Sequence, residues 1–468
     1  TFEQSIRKTT ALLGTGYVND AQLHDKQAAT DLTLLAFEKI DYRYAGVFAR
    51  LHYNARGRYL VHLTGRRDGS SRFAPGKQFG NFGAIGAAWI FSEARTTRKM
   101  IPLLSFGKIR ASYGSSGNDQ IGDYQYLNAF AVSPYSYEGV QGVSPSRLAN
   151  PGFQWEINKK LEIAMETGWW NNRVFISVAH FRNRSTRQLI GYFLPPTTGF
   201  NSVQGNFPAT VQNTGIEIES SASLVKTNRF QWSTNINLTI PRNKLLAFPN
   251  IEGSSYANIY EVGSSLYSLK TFQYTGVDRA TGIYRFMDKD ADGSLGFPGD
   301  LSVNAEISQQ WFGGWQTNIR RGNLSLDVFV QFVKQRGLSY HSSFEAPGVF
   351  SNQPALVMSR WQSPGDISNV QRFTASYHAG AREAYILGRT SSDLLATDAS
   401  FVRIKNILLS YQAPDPWIKK AGLSLCRLYV QCQNIFTFTK YIGDDPENNG
   451  AHRLPPLKTM VAGIQISL

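Results

Sequence analysis

The segment FQWSTNINLTI, residues 230–240, decides the fold because its side chains alternate strictly in character. Its even-numbered residues are apolar, with Thr234 as the one exception, and its odd-numbered residues are all polar. A period of two places successive side chains on opposite faces of a β-strand. The segment therefore predicts a strand with one apolar face and one polar face.

The same alternation recurs in segments spread over the whole chain. Examples are RYLVHLTGRR (58–67), NLSLDVFVQF (323–332) and KTMVAGIQIS (458–467). We count about fourteen strands of about ten or eleven residues, the first near 31–38 and the last at 458–468. Tight turns such as NARG (54–57), WNNR (170–173), KTNR (226–229) and RRGN (320–323) alternate with long connections. The long connections are expected at 117–157, 185–213, 241–308, 334–400 and 438–457.

Composition restricts the class of protein. Among 468 residues, 13% are aromatic and 18% are charged, and no apolar run approaches the roughly 18 residues of a membrane-spanning helix. The net charge of +14 comes from Lys and Arg residues scattered over turns and strand ends, with no nucleic-acid-binding motif. Contact with anionic lipid headgroups, or solubility alone, explains the charge better than nucleic acid does.

The pattern predicts an all-β protein, and specifically a transmembrane antiparallel β-barrel. A soluble sandwich also alternates, because one face of each sheet packs on a core. Three features favour lipid: strands long enough for a tilted crossing, aromatic clusters at strand ends such as GWW (168–170), and a polar face rich in Asn, Gln, Ser and Thr. Short turns on one side and long loops on the other are typical of an outer-membrane barrel.

Several long segments resemble the SusC/RagA-like TonB-dependent outer-membrane transporters of Bacteroidetes. They occur in order along the chain: RRDGSSRFAPGKQFGNFGAIGAAWIFSEA (66–94), KIRASYGSSGNDQIGDYQY (108–126), YRFMDKDADGSLGFPGD (284–300) and NIFTFTKYIGDDPE (434–447). The resemblance implies a 22-strand barrel filled by an N-terminal plug. Residues 1–468 are then expected to form the C-terminal portion, about the last 14 strands, without signal peptide, plug or first strands.

The resemblance also implies a location and a function. The location is the outer membrane, which the protein is expected to cross several times. The expected activity is TonB-dependent import of an oligomeric nutrient, a glycan or a peptide. The expected partners are a SusD-like surface lipoprotein, TonB acting through the plug, and outer-membrane lipid or lipopolysaccharide. Two alternatives stay open: a passive porin-like channel, and a soluble all-β glycan-binding protein.

The acidic segment DKDADGSLGFPGD (288–300) resembles a calcium loop. Asp288, Asp290 and Asp292 have the one, three, five spacing of such a loop, and Gly293 stands at the sharp turn. An EF-hand has a bidentate Glu at its twelfth position, whereas here the twelfth residue is glycine and Asp300 follows one position later. The segment predicts either a Ca²⁺ site or a metal-free polar hairpin.

Aromatic residues in the connection after residue 334 are candidates for contact with a ligand or a partner. Tyr340, Phe344, Phe350 and Trp361 are the residues concerned. Stacking on substrate, contact with the lipoprotein lid, and packing of the loop on itself all remain open for them.

Other motifs predict structure rather than chemistry. Arg66, Asp68 and Arg72 in RRDGSSRF are expected to brace a loop at the barrel rim, with ligand contact as the alternative. The sequence contains no nucleophile elbow, no paired catalytic carboxylates and no histidine pair at metal spacing. No catalytic residue is predicted, and the protein is not expected to be an enzyme.

Overall fold

The structure is a computed structural model that describes residues 1–376, 380–420, 422–448 and 453–467. Three short α-helices lie in the connections: α1 (Arg95–Met100), α2 (Gly380–Ser391) and α3 (Asp415–Lys420). The strands are β1 (Phe2–Thr15), β2 (Asp31–Ala55), β3 (Tyr59–Ser70), β4 (Phe79–Trp89), β5 (Leu104–Asn118), β6 (Ala129–Tyr137), β7 (Val140–Arg147), β8 (Glu156–Trp169), β9 (Val174–Phe193), β10 (Ser202–Lys226), β11 (Phe230–Ala247), β12 (Ser268–Thr271), β13 (Tyr274–Val277), β14 (Tyr284–Phe286), β15 (Ser302–Glu306), β16 (Gln309–Arg321), β17 (Leu324–Leu338), β18 (Ala396–Asp398), β19 (Phe401–Gln412), β20 (Leu425–Thr439) and β21 (Thr459–Ser467).

One large antiparallel sheet forms the wall of the molecule. Fourteen strands follow one another in it, in the order β1-β2-β3-β4-β5-β8-β9-β10-β11-β16-β17-β19-β20-β21. The strands missing from this path form three two-stranded sheets in the connections, β6-β7, β12-β15 and β13-β14, and β18 pairs antiparallel with the end of β17. The predicted all-β antiparallel fold is confirmed. The path contains fourteen strands, but the predicted fourteen began at the second of them, so thirteen of the path strands lie in the predicted range. In the described ranges, no helix is long and apolar enough to cross a membrane.

Cross-strand register places the alternating residues in continuous rows. Ile236 on β11 pairs with Trp315 on β16, which pairs with Val330 on β17, so apolar side chains line up on one face. One residue along, Asn235 pairs with Gln316 on the opposite face. We call the apolar face the outer face and the polar face the inner face. The sequence pattern therefore predicts both faces correctly.

Thr234, the polar exception in the apolar row, has its hydroxyl satisfied. Its Oγ1 accepts a hydrogen bond of 2.7 Å from the indole Nε1–H of Trp315. Trp232 donates in the same way to Oγ1 of Thr317, which pairs with Thr234 across the strands, at 2.9 Å. Because lipid offers no hydrogen-bond partner, a hydroxyl on a lipid-facing surface needs a partner within the protein. These Trp–Thr pairs therefore suit an aromatic belt at a membrane interface.

The connections divide between the two ends of the sheet. The predicted tight turns join β2 to β3, β8 to β9, β10 to β11 and β16 to β17, and all lie at one end, which we call the turn end. The long connections lie at the other end, which we call the loop end. The prediction of a long loop at 185–213 is wrong. Strand β9 continues to Phe193 and strand β10 begins at Ser202, so the connection between them is only residues 194–201.

Two further expectations about the strands need correction. The first strand is β1 at Phe2–Thr15 rather than a segment near 31–38. Strand length is also underestimated, because β2 and β10 each contain 25 residues. At about 3.3 Å per residue such a strand is about 80 Å long, far more than a bilayer requires. The sheet therefore extends well beyond the membrane at its loop end.

Connections fold against the inner face at the loop end. Phe73, Phe82, Phe153 and Trp155 form a buried aromatic cluster there. Beside it, the Nε–H of Arg66 donates to Asp68 at 2.6 Å, and Asp68 is almost fully buried. Arg72 forms the corresponding contact with Asp123 at 2.9 Å across the connection. Arg72 therefore braces the connection as predicted, whereas Arg66 and Asp68 pair with each other within strand β3.

Candidate functional site

A polar cleft lies at the loop end, at the place where two neighbouring strands separate. Pairing between β11 and β16 ends at Thr239 and Phe312, while β11 continues to Ala247. The gap opens into a cleft of about 840 Å³. Its lining consists mainly of amides, hydroxyls and charged groups, from Asn213, Arg242, Asn243, Ser265, Tyr267, Glu306, Ser308, Gln309, Gln310, Gln335, Arg336 and Glu447.

The chemistry of this lining suits a polar, oligomeric ligand. Amide and hydroxyl groups donate and accept hydrogen bonds, as sugar hydroxyls and peptide groups require. Tyr267 lines the cleft with 57% of its surface exposed and offers a flat ring for stacking. Glu306, Gln309 and Gln310 are also exposed in the structure. The lining therefore offers hydrogen bonds and one exposed ring to a polar ligand.

A buried arginine holds one wall of the cleft in place. Arg403 on β19 is only 1% exposed, and its guanidinium contacts Asp445, Glu447 at 2.6 Å and Oγ1 of Thr437 at 2.9 Å. Lys405 adds a second contact to Glu447, at 2.9 Å. These bonds fix the segment 441–447, whose Glu447 lines the cleft.

Neutral hydrogen bonds complete this attachment. Gln335 on β17 donates from Nε2 to the backbone oxygen of Pro446 at 2.8 Å. The hydroxyl of Tyr441 donates to the backbone oxygen of Leu338 at 3.0 Å. Segment 441–447, which we call the latch segment, is therefore bound to both β17 and β19 from the inner side.

The four predicted loop aromatics do not form one surface. Trp361 is 8% exposed, its Nε1–H donates to the backbone oxygen of Arg279 at 3.1 Å, and its ring lies against Gly282. This residue packs the loop on itself, which is one of the three roles left open for it. Tyr340 and Phe344 pack edge to face with their ring centroids 4.9 Å apart.

Phe350 is the one member of the four whose side chain is fully exposed. It lies in the connection between β17 and α2. Nearby, Arg389 on α2 donates to the backbone oxygen of Phe344 at 2.9 Å and contacts Glu345 at 3.0 Å. The loop is thus held by α2 while Phe350 is presented to the surroundings.

The acidic loop brings together three of its four predicted ligands. One carboxylate oxygen from each of Asp288, Asp290 and Asp292 lies within 4.8 Å of the others. The backbone N–H of Gly293 donates to Asp288 at 2.9 Å, with φ of Gly293 at 88° as the bend requires. Oδ1 of Asp288 is buried and has no hydrogen-bond partner among the described residues. These three carboxylates fit the oxygen-ligand preference of Ca²⁺.

Asp300 has a different role in the loop. Its carboxylate accepts the backbone N–H groups of Gly296 at 2.8 Å and of Lys289. Because these amides stabilise the charged form, the pKa of Asp300 is lowered. Asp300 therefore holds the loop closed, and it is not grouped with the three clustered carboxylates.

The surroundings of the cluster change the pKa of Asp290. Its pKa is raised by partial burial and by the negative charges of Asp292, Asp300 and Asp288. A Cβ atom at Gly299, the twelfth position of the loop, would lie 2.0 Å from Oδ2 of Asp290. A side chain at that position would therefore require the Asp290 carboxylate to turn away.

Sequence reasoning missed the cleft, Arg403 and Tyr267. The cleft depends on where two strands stop pairing, which hydropathy does not encode. Arg403 and its partners Asp445 and Glu447 are more than 40 positions apart in sequence. One signal was available: the segment NIFTFTKYIGDDPE already stood out by family resemblance, and it contains both acidic partners.

Comparison with known proteins places this geometry in a family. A family model described as "TonB dependent receptor-like, beta-barrel" matches residues 2–435. "TonB-dependent receptor P3" of Formosa agariphila is 26% identical over 432 residues, which cover 86% of this chain and 42% of that relative. "TonB-dependent receptor SusC" of Bacteroides thetaiotaomicron is 24% identical over 486 residues, which cover 96% and 45%. The chain thus spans about half the length of these curated relatives.

Solved structures agree with the fold. The structure of "the RagAB peptide importer in the 'closed-closed' state" has a TM-score of 0.83 at 21% identity, covering 100% of this chain and 53% of that chain. "Structure of the RagAB peptide transporter" has a TM-score of 0.80 at 24% identity, covering 94% and 49%. At these identities the likeness shows that the fourteen-strand sheet has the architecture of a barrel section.

Proposed function

The chain belongs to the TonB dependent receptor-like β-barrel family of the outer membrane, and we propose that it takes part in energised import of an oligomeric nutrient. In this proposal residues 1–468 are the C-terminal portion of a larger barrel, which a plug fills and TonB drives. Ligand is captured at the loop end, between the barrel and a SusD-like surface lipoprotein, and then released inward when the plug rearranges. No covalent step is required.

The observation that carries the proposal is the polar cleft on a sheet with an apolar outer face. Outer-membrane barrels turn apolar side chains to lipid and polar side chains to the lumen. The cleft is lined from the inner side by Asn213, Asn243 and Gln335. A glycan or a peptide that bonds to these groups would lie at the entrance to the lumen. The exposed ring of Phe350 offers the lipoprotein an apolar contact at the same end.

Uptake by intact cells tests this function. The full-length protein and a SusD-like lipoprotein are expressed together, and uptake of fluorescent oligosaccharide and peptide pools is measured with and without a protonophore. We expect saturable uptake of one pool that stops when the proton-motive force is removed. Uptake that rises linearly with concentration and ignores the protonophore would instead show a passive porin.

Tyr267→Ala extends the same assay to the cleft. Loss of one stacking ring is expected to raise the ligand concentration for half-maximal uptake about tenfold, which corresponds to about 1–2 kcal/mol for an anchoring aromatic contact. Phe350→Ala is the matched control for loss of an exposed loop aromatic, and we expect it to weaken lipoprotein association while ligand affinity stays unchanged. Equal effects of both substitutions on ligand affinity would remove the cleft from the proposal.

For the acidic loop we propose Ca²⁺ as the ligand of Asp288, Asp290 and Asp292. The buried Oδ1 of Asp288, which lacks a partner among the described residues, supports this proposal. Because the twelfth-position ligand is missing, we expect a weak affinity of about 10⁻⁴–10⁻³ M. Ca²⁺ competes with protons, so binding should weaken as pH falls through the raised pKa of Asp290.

Chelation of Ca²⁺ should therefore loosen this loop. We expect EDTA to increase proteolytic cleavage within residues 286–300, since three like charges lose their counter-ion. Asp290→Asn with Asp292→Asn should abolish the response to added Ca²⁺. Asp20→Asn with Asp31→Asn removes two charges from the connection between β1 and β2 and from the first residue of β2, and should leave the response intact. A cleavage rate that is independent of Ca²⁺ in the unmodified protein would establish a metal-free hairpin.

A further inference from the structure

Four cations gather on the outer face of strands β8–β11, close to the loop end. Lys159, Arg184, Gln212 and Lys244 form one straight row across these four strands, because each is the cross-strand partner of the next. Arg182 lies one step nearer the apolar rows, level with Leu161. We call Lys159, Arg182, Arg184 and Lys244 the cationic patch. Arg242 is level with Arg182 by register, but its guanidinium donates to the backbone oxygen of Gln310 at 3.1 Å and lines the cleft, so it is not counted in the patch.

Register fixes which face these side chains occupy. Ile163 pairs with His180, which pairs with Ile216, in one row of the outer face, where His180 is the one polar residue among isoleucines. Ile240 on β11 is the next member of that row. Lys159 is four residues from Ile163, and Lys244 is four residues from Ile240. Because two strand residues separated by an even number lie on the same face, both lysines lie on the outer face. The neighbouring residues of opposite parity face inward: Asn243, for example, bonds to Asn213 at 2.7 Å and lines the cleft.

The patch has no balancing acid within the described part of the chain. None of its four members forms an ion pair there, and Arg184 donates only to the neutral Oε1 of Gln212, at 2.6 Å. The carboxylate of Glu162 on β8 is turned inward, where it contacts Arg110. Like charges directly opposite each other, such as Lys159 and Arg184, destabilise a sheet. An external anion would remove this cost.

The height of the patch corresponds to a membrane interface. Trp169, beside the turn end of β8, carries the indole expected at one interface. Lys159 is ten positions from it along the strand. Ten residues span about 33 Å, or about 25 Å along the barrel axis at a tilt of about 40°, which equals the height of a barrel's apolar band. The patch therefore lies at the opposite interface, on the loop side.

We propose that the cationic patch binds the phosphate group of an outer-leaflet lipid. Guanidinium and ammonium groups match phosphate oxygens in charge and geometry. Apolar side chains lie directly below the patch and can contact acyl chains; they are Leu161, Ile163 and Ile216. A free phosphate ion would not use this apolar surface. The assignment of the loop side to the outer leaflet rests on the proposed function, whereas the binding of a phosphorylated lipid does not.

Native mass spectrometry of the full-length protein in detergent tests this proposal, with monophosphoryl lipid A as the probe. Arg184→Gln with Lys244→Gln should weaken binding about tenfold or more, since each surface cation contributes to attraction of an anionic headgroup. Arg173→Gln with Arg229→Gln removes the same charge from exposed turns at the turn end and should leave binding unchanged. The same lipid without its phosphate should bind the unmodified protein as weakly as the patch variant binds the probe.

Three results would overturn the proposal: equal losses in both double variants, equal binding of the lipid without phosphate, or displacement of the lipid by inorganic phosphate at equal concentration. Retention of native gel mobility by both variants shows that they remain folded. Because the assay contains no nutrient, failure of the uptake experiment leaves its outcome unaffected, and the two proposals can fail separately.

Discussion

Replacing Arg403 with leucine is expected to destabilise the attachment of the latch segment by about 3–5 kcal/mol, the cost of leaving a buried charge without its partner. The guanidinium is 1% exposed, and Asp445 beside it is 6% exposed. Without Arg403, the Asp445 carboxylate either stays charged in a buried site or becomes solvated, which requires the latch segment to detach from the strands. The second outcome costs less, so we expect residues 441–447 to open.

Hydrogen exchange of the full-length protein measures this opening directly. In Arg403→Leu, amides of residues 441–447 should exchange at least a hundredfold faster, and ligand affinity should fall because Glu447 leaves the cleft. Lys405→Met is the matched control, since Lys405 contacts the same Glu447 from a more exposed position. Exposed ion pairs contribute only about 0–1 kcal/mol to stability, so this variant should exchange nearly as slowly as the unmodified protein. Equal exchange rates in both variants would show that the buried pair does not hold the segment.

Placing arginine at Ile236 should prevent or strongly impair assembly. Ile236 lies on the outer face in the row that continues through Trp315 and Val330. An arginine on the lipid face costs about 2–4 kcal/mol at the bilayer midplane and less toward an interface. Asn235→Arg adds the same side chain one residue away on the inner face, beside Gln316, where water is available. We expect the cost there to be under about 0.5 kcal/mol.

The fraction of protein that folds into vesicles, read from heat-modifiable gel mobility, compares the two variants. Ile236→Arg should fold poorly and Asn235→Arg nearly as well as the unmodified protein. Equal tolerance of both substitutions would mean that lipid does not contact the apolar face.

The alternating strands could be predicted from sequence because lipid and water impose opposite demands on neighbouring side chains. That constraint is absent where strands leave the membrane, and so β1 was missed. Its residues pair with the loop-end half of β2, from Phe2 opposite Ala45 to Thr15 opposite Asp31. With water on both faces, no strict alternation is required. The 25-residue length of β2 and β10 was hidden for the same reason.

The candidate site was less predictable because its residues depend on distant partners. The burial of Trp361 follows from contact with Gly282, nearly 80 positions earlier in the chain, so exposure could not be judged from its own loop. The acidic loop was predictable because its geometry is local: Asp288, Asp290 and Asp292 converge over five residues. Asp300 shows the limit of that approach, since its carboxylate is occupied by backbone amides.

We propose that the sheet crosses the outer membrane with its tight turns inside and its long loops outside. Labelling of single cysteines in intact cells with a membrane-impermeant maleimide tests it most directly. Cys426 and Cys432 are first replaced by alanine, and one cysteine is introduced at exposed Ser351 in a long connection or at exposed Asn228 in a tight turn. The claim predicts labelling of Ser351→Cys on intact cells, and of Asn228→Cys only after the outer membrane is opened. Labelling of Asn228→Cys from outside would contradict it.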